Sequence, residues 1–423
     1  MTANPQSDPN TFGGGSPLRT LQNPNFRKLW VGAVTSGAGA AIGAIILTWL
    51  VYYATRSPLA ISALGIVQFL PTLAFGLLAG ALIDRLDRRR LMFTCDVARS
   101  VCFAALALYV LFYGVNVAVL IGVVFVVATF STVFRPATNA AIPRILDPSE
   151  LSDGNGLLQG GTTIAQFVGS PVGSLLVVTV GAAVGFALNS LTFAISGTMI
   201  FLMVIPVGAS STSSKEMKRR SLLTDVAEGL RYLRSQPALL IITVTAMIAN
   251  FFLSIWGGFT VIYAAQRLNQ GATGFAILVA ANTAGFAIGA ILPGRFHMAR
   301  SPGLWLLPTW GIVGFFIVGL AFTTSLAVAT GLSVAAGACL SMGNTTWLSG
   351  VQREVPDEYL GRYFATDEAG SFAMIPAALA VGGVLIVAVG ITRAFVFAGV
   401  GTLVANIPLF LSRTVRSWGR RAP

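Results

Sequence analysis

Apolar runs of 20 to 27 residues alternate along the chain with short clusters of charge, Gly and Pro. A hydrocarbon core about 30 Å thick takes about 20 apolar residues per helical crossing, so each run predicts a membrane-spanning helix. The runs place spans at 29–54, 59–83, 91–113, 116–141, 156–180 and 182–206, then at 238–264, 272–294, 304–323, 325–350, 363–389 and 392–412. They are continuous and lack the period-2 alternation of a transmembrane β-barrel. The odd-numbered connections are only a few residues long, which forces antiparallel helical hairpins. The expected architecture is therefore an all-α membrane protein of twelve crossings.

The connections divide the chain further. Residues 1–24 are polar and rich in Pro, Gly and Asn without an apolar h-region, and predict a disordered tail. A six-helix half follows over 25–206, then a linker over 207–237, a second half over 238–412 and a basic tail over 413–423. Within the linker, Leu222, Val226, Leu230 and Leu233 recur at helical spacing opposite Asp225, Glu228, Arg231 and Arg234. That pattern predicts an amphipathic helix on the inner leaflet. Sliding the sequence on itself by 209 residues puts Gly76 and Gly80 on Gly285 and Gly289, Arg144 on Arg353, Leu151 on Leu360 and GSLLV at 173–177 on GGVLI at 382–386. Two parallel six-span repeats are the plan of secondary transporters that rock about a midplane site.

Composition narrows the function classes. Of 423 residues, 55% are apolar and 10% charged, against about 25% charged in a soluble domain. The net charge of +12 has a topological origin: 22 of the 27 Lys and Arg residues fall on the face that holds both termini, among them Lys215, Lys218, Arg219 and Arg220. Such an excess marks the cytoplasmic side, so both termini are expected in the cytoplasm and no nucleic-acid partner is expected. Cys95, Cys102 and Cys339 have no metal-ligand spacing, and the single histidine, His297, lies near an inner loop. HExxH, GxSxG and GxxxxGK[ST] are all absent, so no enzyme activity, metal or cofactor is expected. A channel would need a selectivity loop or charged ring, and the sequence displays neither.

The connection between spans 2 and 3 reads Gly80-Ala-Leu-Ile-Asp84-Arg85-Leu-Asp87-Arg88-Arg89-Arg90. It resembles the major facilitator superfamily signature G-x-x-x-D-R-x-x-R-R, with Asp87 where many members carry Gly. Together with Asp96 and Arg99, and with NPNFRKLW before span 1, IPRILDPSEL before span 5 and VPDEYLGR before span 11, it resembles the branch of the enterobactin exporter and macrolide-efflux proteins. The resemblance covers the chain after the tail. It implies the major facilitator fold with two pseudo-symmetric halves, a gating role for Gly80, Asp84, Arg85, Arg88, Arg89, Asp96 and Arg99, and a monomer in a bacterial inner membrane. It also implies proton-coupled export of a small amphiphilic molecule, a drug or siderophore-like metabolite. Uptake or facilitated movement of a nutrient or lipid is the alternative, as is a non-transporting, receptor-like member. Read from chemistry alone, Asp84 at a helix end can accept from exposed N–H groups or pair with Arg as a releasable latch; the alternative is a set of solvated, topology-setting charges. Gly169-Ser170-Pro171-Val172-Gly173 in span 5 resembles the G-P-x-x-G-G element of exporters with its proline displaced, and Pro171 predicts a bend.

Acidic residues are the usual proton relays in such proteins. Of the 15 here, none falls at mid-membrane, and Asp96, Asp367 and Glu368 alone sit one to two turns inside a span. These three are the candidate relays, an Arg-paired structural acid being the alternative. Arg135 in span 4 is the deepest basic residue; it either snorkels or meets an anionic group of the substrate. The resemblance puts spans 1, 4, 7 and 10 around the cavity, so Trp49, Asn250, Trp256, Asn344 and Trp347 join Arg135 as candidate cavity residues. Indole and amide groups suit amphiphilic organic molecules, although Trp49 also fits an interfacial anchor.

Overall fold

A computed structural model describes residues 17–147, 150–204, 222–296 and 298–420. His297 and the basic cluster Lys215, Lys218, Arg219 and Arg220 lie outside the described residues. The first half comprises α1 (Pro24–Thr55), α2 (Pro58–Arg85), α3 (Arg88–Tyr113), α4 (Val117–Ile145), α5 (Leu151–Thr179) and α6 (Ala182–Phe201). After α7 (Leu222–Ser235) come α8 (Pro237–Gln266), α9 (Gly271–Arg295), α10 (Pro302–Phe322), α11 (Leu326–Glu354), α12 (Asp357–Phe372), α13 (Ile375–Leu411) and α14 (Arg413–Ser417). Local chemistry sets the starts. Asn23 Oδ1 accepts from Asn25 and Phe26 at 3.0 and 3.2 Å with Pro24 at the first helical position, and Asp87 caps α3 through the Arg90 N–H at 2.9 Å.

Among the described residues, eleven helical segments are long and apolar enough to cross a membrane, and the last of them holds two crossings. Gly390 interrupts α13 with φ 83° and ψ 164°. Contacts with α8 give the path on either side. Asp367 meets Thr243 and Leu379 meets Gly258 on the way out; Phe395 stacks on Tyr263, Gly401 lies against Phe252 and Leu409 clusters with Ile242 on the way back. The chain therefore reverses at Gly390, as it does at Gly181, whose φ 87° and ψ 166° are nearly the same. These two glycines stand 209 residues apart, the displacement of the internal repeat.

The eleventh span departs from the predicted single helix over 363–389. It breaks at Ala373–Met374, because Pro376 has no N–H to offer the carbonyl of Phe372. α10 instead contains a π-helical turn at Leu307–Gly311, around Pro308. α5 stays helical through Pro171; Gly169 and Gly173 bring its backbone against Ala38 and Ile42 of α1. In the second half Gly285 and Gly289 do the same for α9 against Val334 and Ala338 of α11.

Both described ends and the even-numbered connections share one face, the terminal face. Asn23 Nδ2 donates to the Ile145 carbonyl at 2.9 Å, the Val204 N–H to Asn25 Oδ1 at 2.9 Å, and Arg353 Nη2 to the Gly419 carbonyl at 2.7 Å. The linker helix α7 also belongs there, but it docks on protein. Tyr232 stacks on Tyr359 of α12 at 4.6 Å, Glu228 pairs with Arg362 at 3.1 Å, and Leu233 is buried with Leu239 and Tyr363. Side chains of Leu222 and Val226 lie outside the described residues. The halves themselves meet toward the opposite face. Ser62 Oγ of α2 donates to the Leu379 carbonyl of α13 at 2.7 Å, Gly383 faces Ser62 and Pro58, Trp49 reaches Gly271, and Phe167 packs on Phe286 at 4.4 Å near mid-depth.

Candidate functional site

The gating candidates divide by location. Gly80, Asp84 and Arg85 end α2, in a stretch whose side chains lie outside the described residues. Arg88 Nη1 donates to the Ala140 carbonyl of α4 at 3.1 Å. Arg89 Nε donates to the Ile200 carbonyl at 3.3 Å and Nη2 to that of Phe201, so its guanidinium closes the C-terminus of α6. Lys28 Nζ completes that end at the Leu202 carbonyl, 2.7 Å away. Cations at a helix C-terminus satisfy orphan carbonyls and oppose the helix dipole. Arg88 and Arg89 thus tie α3 to α4 and α6 inside one half.

Asp96 and Arg99 lie one turn apart on α3 and pair with each other, fully enclosed in the first half. Ser196 Oγ of α6 donates to Asp96 Oδ2 at 2.6 Å. The Arg99 guanidinium lies 4.1 Å from the ring centre of Phe134 and 4.5 Å from that of Phe193. Two aromatic faces and a carboxylate make this buried cation tolerable. Of the three candidate relays, Asp96 is the one buried against an arginine of its own helix.

Asp367 differs. Its side chain is buried between α12 and α8, and Thr243 Oγ1 donates to it. Among the described residues it has no cationic partner. A carboxylate in that position either neutralises or stores an uncompensated charge. Its neighbour Glu368 points the other way and meets Arg135 of α4 from the first half, Oε1 to Nη2 at 2.8 Å, with the two side chains 52% and 68% exposed. The deepest arginine thus has a carboxylate partner that the sequence pattern did not reveal.

The remaining cavity candidates separate into two groups. Asn344 is exposed and accepts from Trp310 Nε1 at 3.0 Å; Asn250 is half-buried and donates to the Ser371 carbonyl at 3.0 Å, close to the break in the eleventh span. The three indoles each touch other aromatic or apolar side chains. Trp256 is 8% exposed in the main apolar core, Trp49 leans on Tyr52 and Tyr53 near the face opposite the termini, and Trp347 lies edge-on to Phe364 above the α7 cluster.

The model of the transmembrane secretion effector family matches residues 15–421. The chain belongs to this family of major facilitator transporters. It is 23% identical over 382 residues to macrolide efflux protein A of Streptococcus pyogenes, which covers 88% of this chain and 92% of that one. To the multidrug efflux pump Tap of Mycolicibacterium fortuitum it is 26% identical over 224 residues, 52% of this chain and 54% of the pump, so that match spans about half of the pump's length. Two solved structures share the fold. A bacterial homologue of the human lysosomal transporter Spinster, in an inward-facing and occupied conformation, gives a TM-score of 0.66 at 14% identity, covering 97% of this chain and 100% of that one. The nucleoside transporter NupG gives 0.62 at 13% identity, covering 91% and 99%.

In this secretion effector family member, a multi-pass membrane transporter, several polar side chains that the sequence reading passed over are exposed within spans. Gln159 and Gln166 stand exposed on α5, Thr72 on α2 beside Thr132 at 3.0 Å, and Asn139 on α4 one turn from Arg135. Polar groups exposed at such depth belong to a water-filled opening. The repeat carried a signal for one of them, since Gln159 stands 209 residues before Glu368.

Proposed function

We propose that the protein is a secondary active exporter of a small amphiphilic molecule, a drug or siderophore-like metabolite, working by alternating access as a monomer in a bacterial inner membrane with both termini cytoplasmic. The observation that carries this reading is the unequal contact between the halves. Their seam is packed toward the face opposite the termini, at Ser62–Leu379 and Gly383, while the Arg135–Glu368 pair nearer the terminal face is exposed. That arrangement suits a state loaded from the side of the termini, the side from which an exporter takes its cargo. The efflux activity in the printed names of macrolide efflux protein A and the Tap pump supports the same direction.

Coupling to protons is assigned to Asp367. Among the described residues it has no cationic partner, the Thr243 hydroxyl donates to it, and the next residue bridges the halves. Protonation would release Asp367 from its need for the Thr243 donor and loosen α12 from α8, next to the break at Ala373–Met374. Asp84 remains the proposed latch at the terminal face.

Inverted membrane vesicles with an imposed proton gradient test the reading, with macrolides and cationic dyes as cargo. Gradient-driven accumulation is expected for the native protein. Asp367→Asn is expected to lower accumulation to the gradient-free level and to leave dye exchange without a gradient intact. Accumulation that ignores the gradient would identify facilitated movement, and no flux with any cargo would identify a receptor-like protein; either result rejects the coupled exporter.

A further inference from the structure

Arg135 and Glu368 meet from opposite halves, each about ten residues, or ~15 Å, from the terminal-face end of its helix. The internal repeat maps this pair onto two neutral amides. A displacement of 209 residues carries Arg135 onto Asn344 and Gln159 onto Glu368, and both amides are exposed. Repeats that began alike have thus come to carry a charged diagonal, α4 to α12, and an uncharged one, α5 to α11. The opening has one electrical axis, positive at α4 and negative at α12.

An ion pair this exposed holds weakly and opens at little cost. What is costly is to seat a guest that displaces the water around the pair and leaves either charge without a counter-charge. A cationic guest would satisfy Glu368 and strand Arg135; an anionic guest would do the reverse. A guest carrying both signs replaces the pair without stranding either group, with a carboxylate or phosphate bidentate on the Arg135 fork and an ammonium or iminium on Glu368. Exposed Asn344 and Gln159 add neutral donors and acceptors across the other diagonal. From this geometry we propose that the opening selects zwitterionic amphiphiles, with Arg135 and Glu368 as the specificity-determining pair. The proposal takes its setting from the exporter reading, but it concerns binding, which can be measured without flux.

Rhodamine B, a zwitterion at neutral pH, and its cationic ethyl ester differ only in the carboxylate. Fluorescence polarisation with the purified full-length protein in detergent compares their affinities. The native protein is expected to prefer the zwitterion by about tenfold, the factor of one charge-assisted hydrogen bond. Arg135→Gln is expected to erase that preference while the ester still binds; Glu368→Gln is expected to weaken both dyes alike. The exchanged variant Arg135→Glu/Glu368→Arg restores the charge match and is expected to recover part of the preference, and gel filtration with thermal melting verifies that each variant is folded. Equal affinities in the native protein, a preference that survives Arg135→Gln, or no binding of either dye by folded protein overturns the proposal. Failure of the vesicle flux experiment with the dye preference intact would reject the exporter and leave this site standing.

Discussion

Arg99 illustrates how a buried charge in a membrane protein is held by many weak partners and one strong one. Its guanidinium lies between Phe134 and Phe193 and pairs with Asp96, which Ser196 also holds. Arg99→Met removes the cation and strands Asp96 in the interior of the first half; breaking one side of such a pair costs about 3–5 kcal/mol. The double variant Asp96→Asn/Arg99→Met strands nothing, so melting of the detergent-purified protein is expected to fall steeply for the single variant and recover most of the loss in the double. Equal losses would show that Asp96 is compensated by groups other than Arg99. The family resemblance made Asp96 a gating candidate, and its depth among so few acids made it a relay candidate. What separates it from Asp367 is the partner: Arg99 stands at i+3 on the same helix face, whereas Asp367 meets the Thr243 hydroxyl of another helix and, among the described residues, no cation. The first fact is local spacing and could be read. The second requires α8 beside α12, which no local pattern encodes.

At the scale of elements, backbone geometry decides where substitutions are tolerated. Gly390 has φ 83° and ψ 164°, a region that side chains avoid, and it turns the chain between the eleventh and twelfth crossings. Gly390→Ala is expected to cost about 1–3 kcal/mol although nothing lies within 4 Å of a Cβ there. Gly331, inside α11, likewise has open space around its missing Cβ but helical backbone, and Gly331→Ala is expected to stabilise by about 1 kcal/mol. Thermal melting compares the two directly; the same sign for both would mean that backbone conformation does not govern these sites. The crossings were legible as apolar runs, and the repeat was legible as a 209-residue register that Gly181 and Gly390 also obey. The break at Ala373–Met374 was not read, although Pro376 was visible, because TM helices often absorb a proline, as α5 does at Pro171. Which helix tolerates its proline depends on neighbours that satisfy the freed carbonyl.

For the whole molecule, the question is whether the packed seam away from the termini must open for the cargo to leave. α2 and α13 meet there so closely that Gly383 faces the Ser62 side chain, and the Ser62 hydroxyl already bonds the Leu379 carbonyl at 2.7 Å. A covalent bond at this place would hold the halves together on that side and leave the opening around Arg135 and Glu368 untouched. The variant Ser62→Cys/Gly383→Cys, made with Cys95, Cys102 and Cys339 replaced by Ser or Ala, should oxidise readily because the two positions already touch. Rocking requires the seam to separate by several ångströms, which a disulfide with Cα atoms held within about 7 Å forbids. Oxidised protein is therefore expected to bind cargo from the terminal face with native affinity and to move none across the membrane, and reduction is expected to restore flux. Flux that persists while the disulfide is shown intact by mass spectrometry would mean that the cargo leaves by a route other than this seam, and the rocking of two halves would have to be given up.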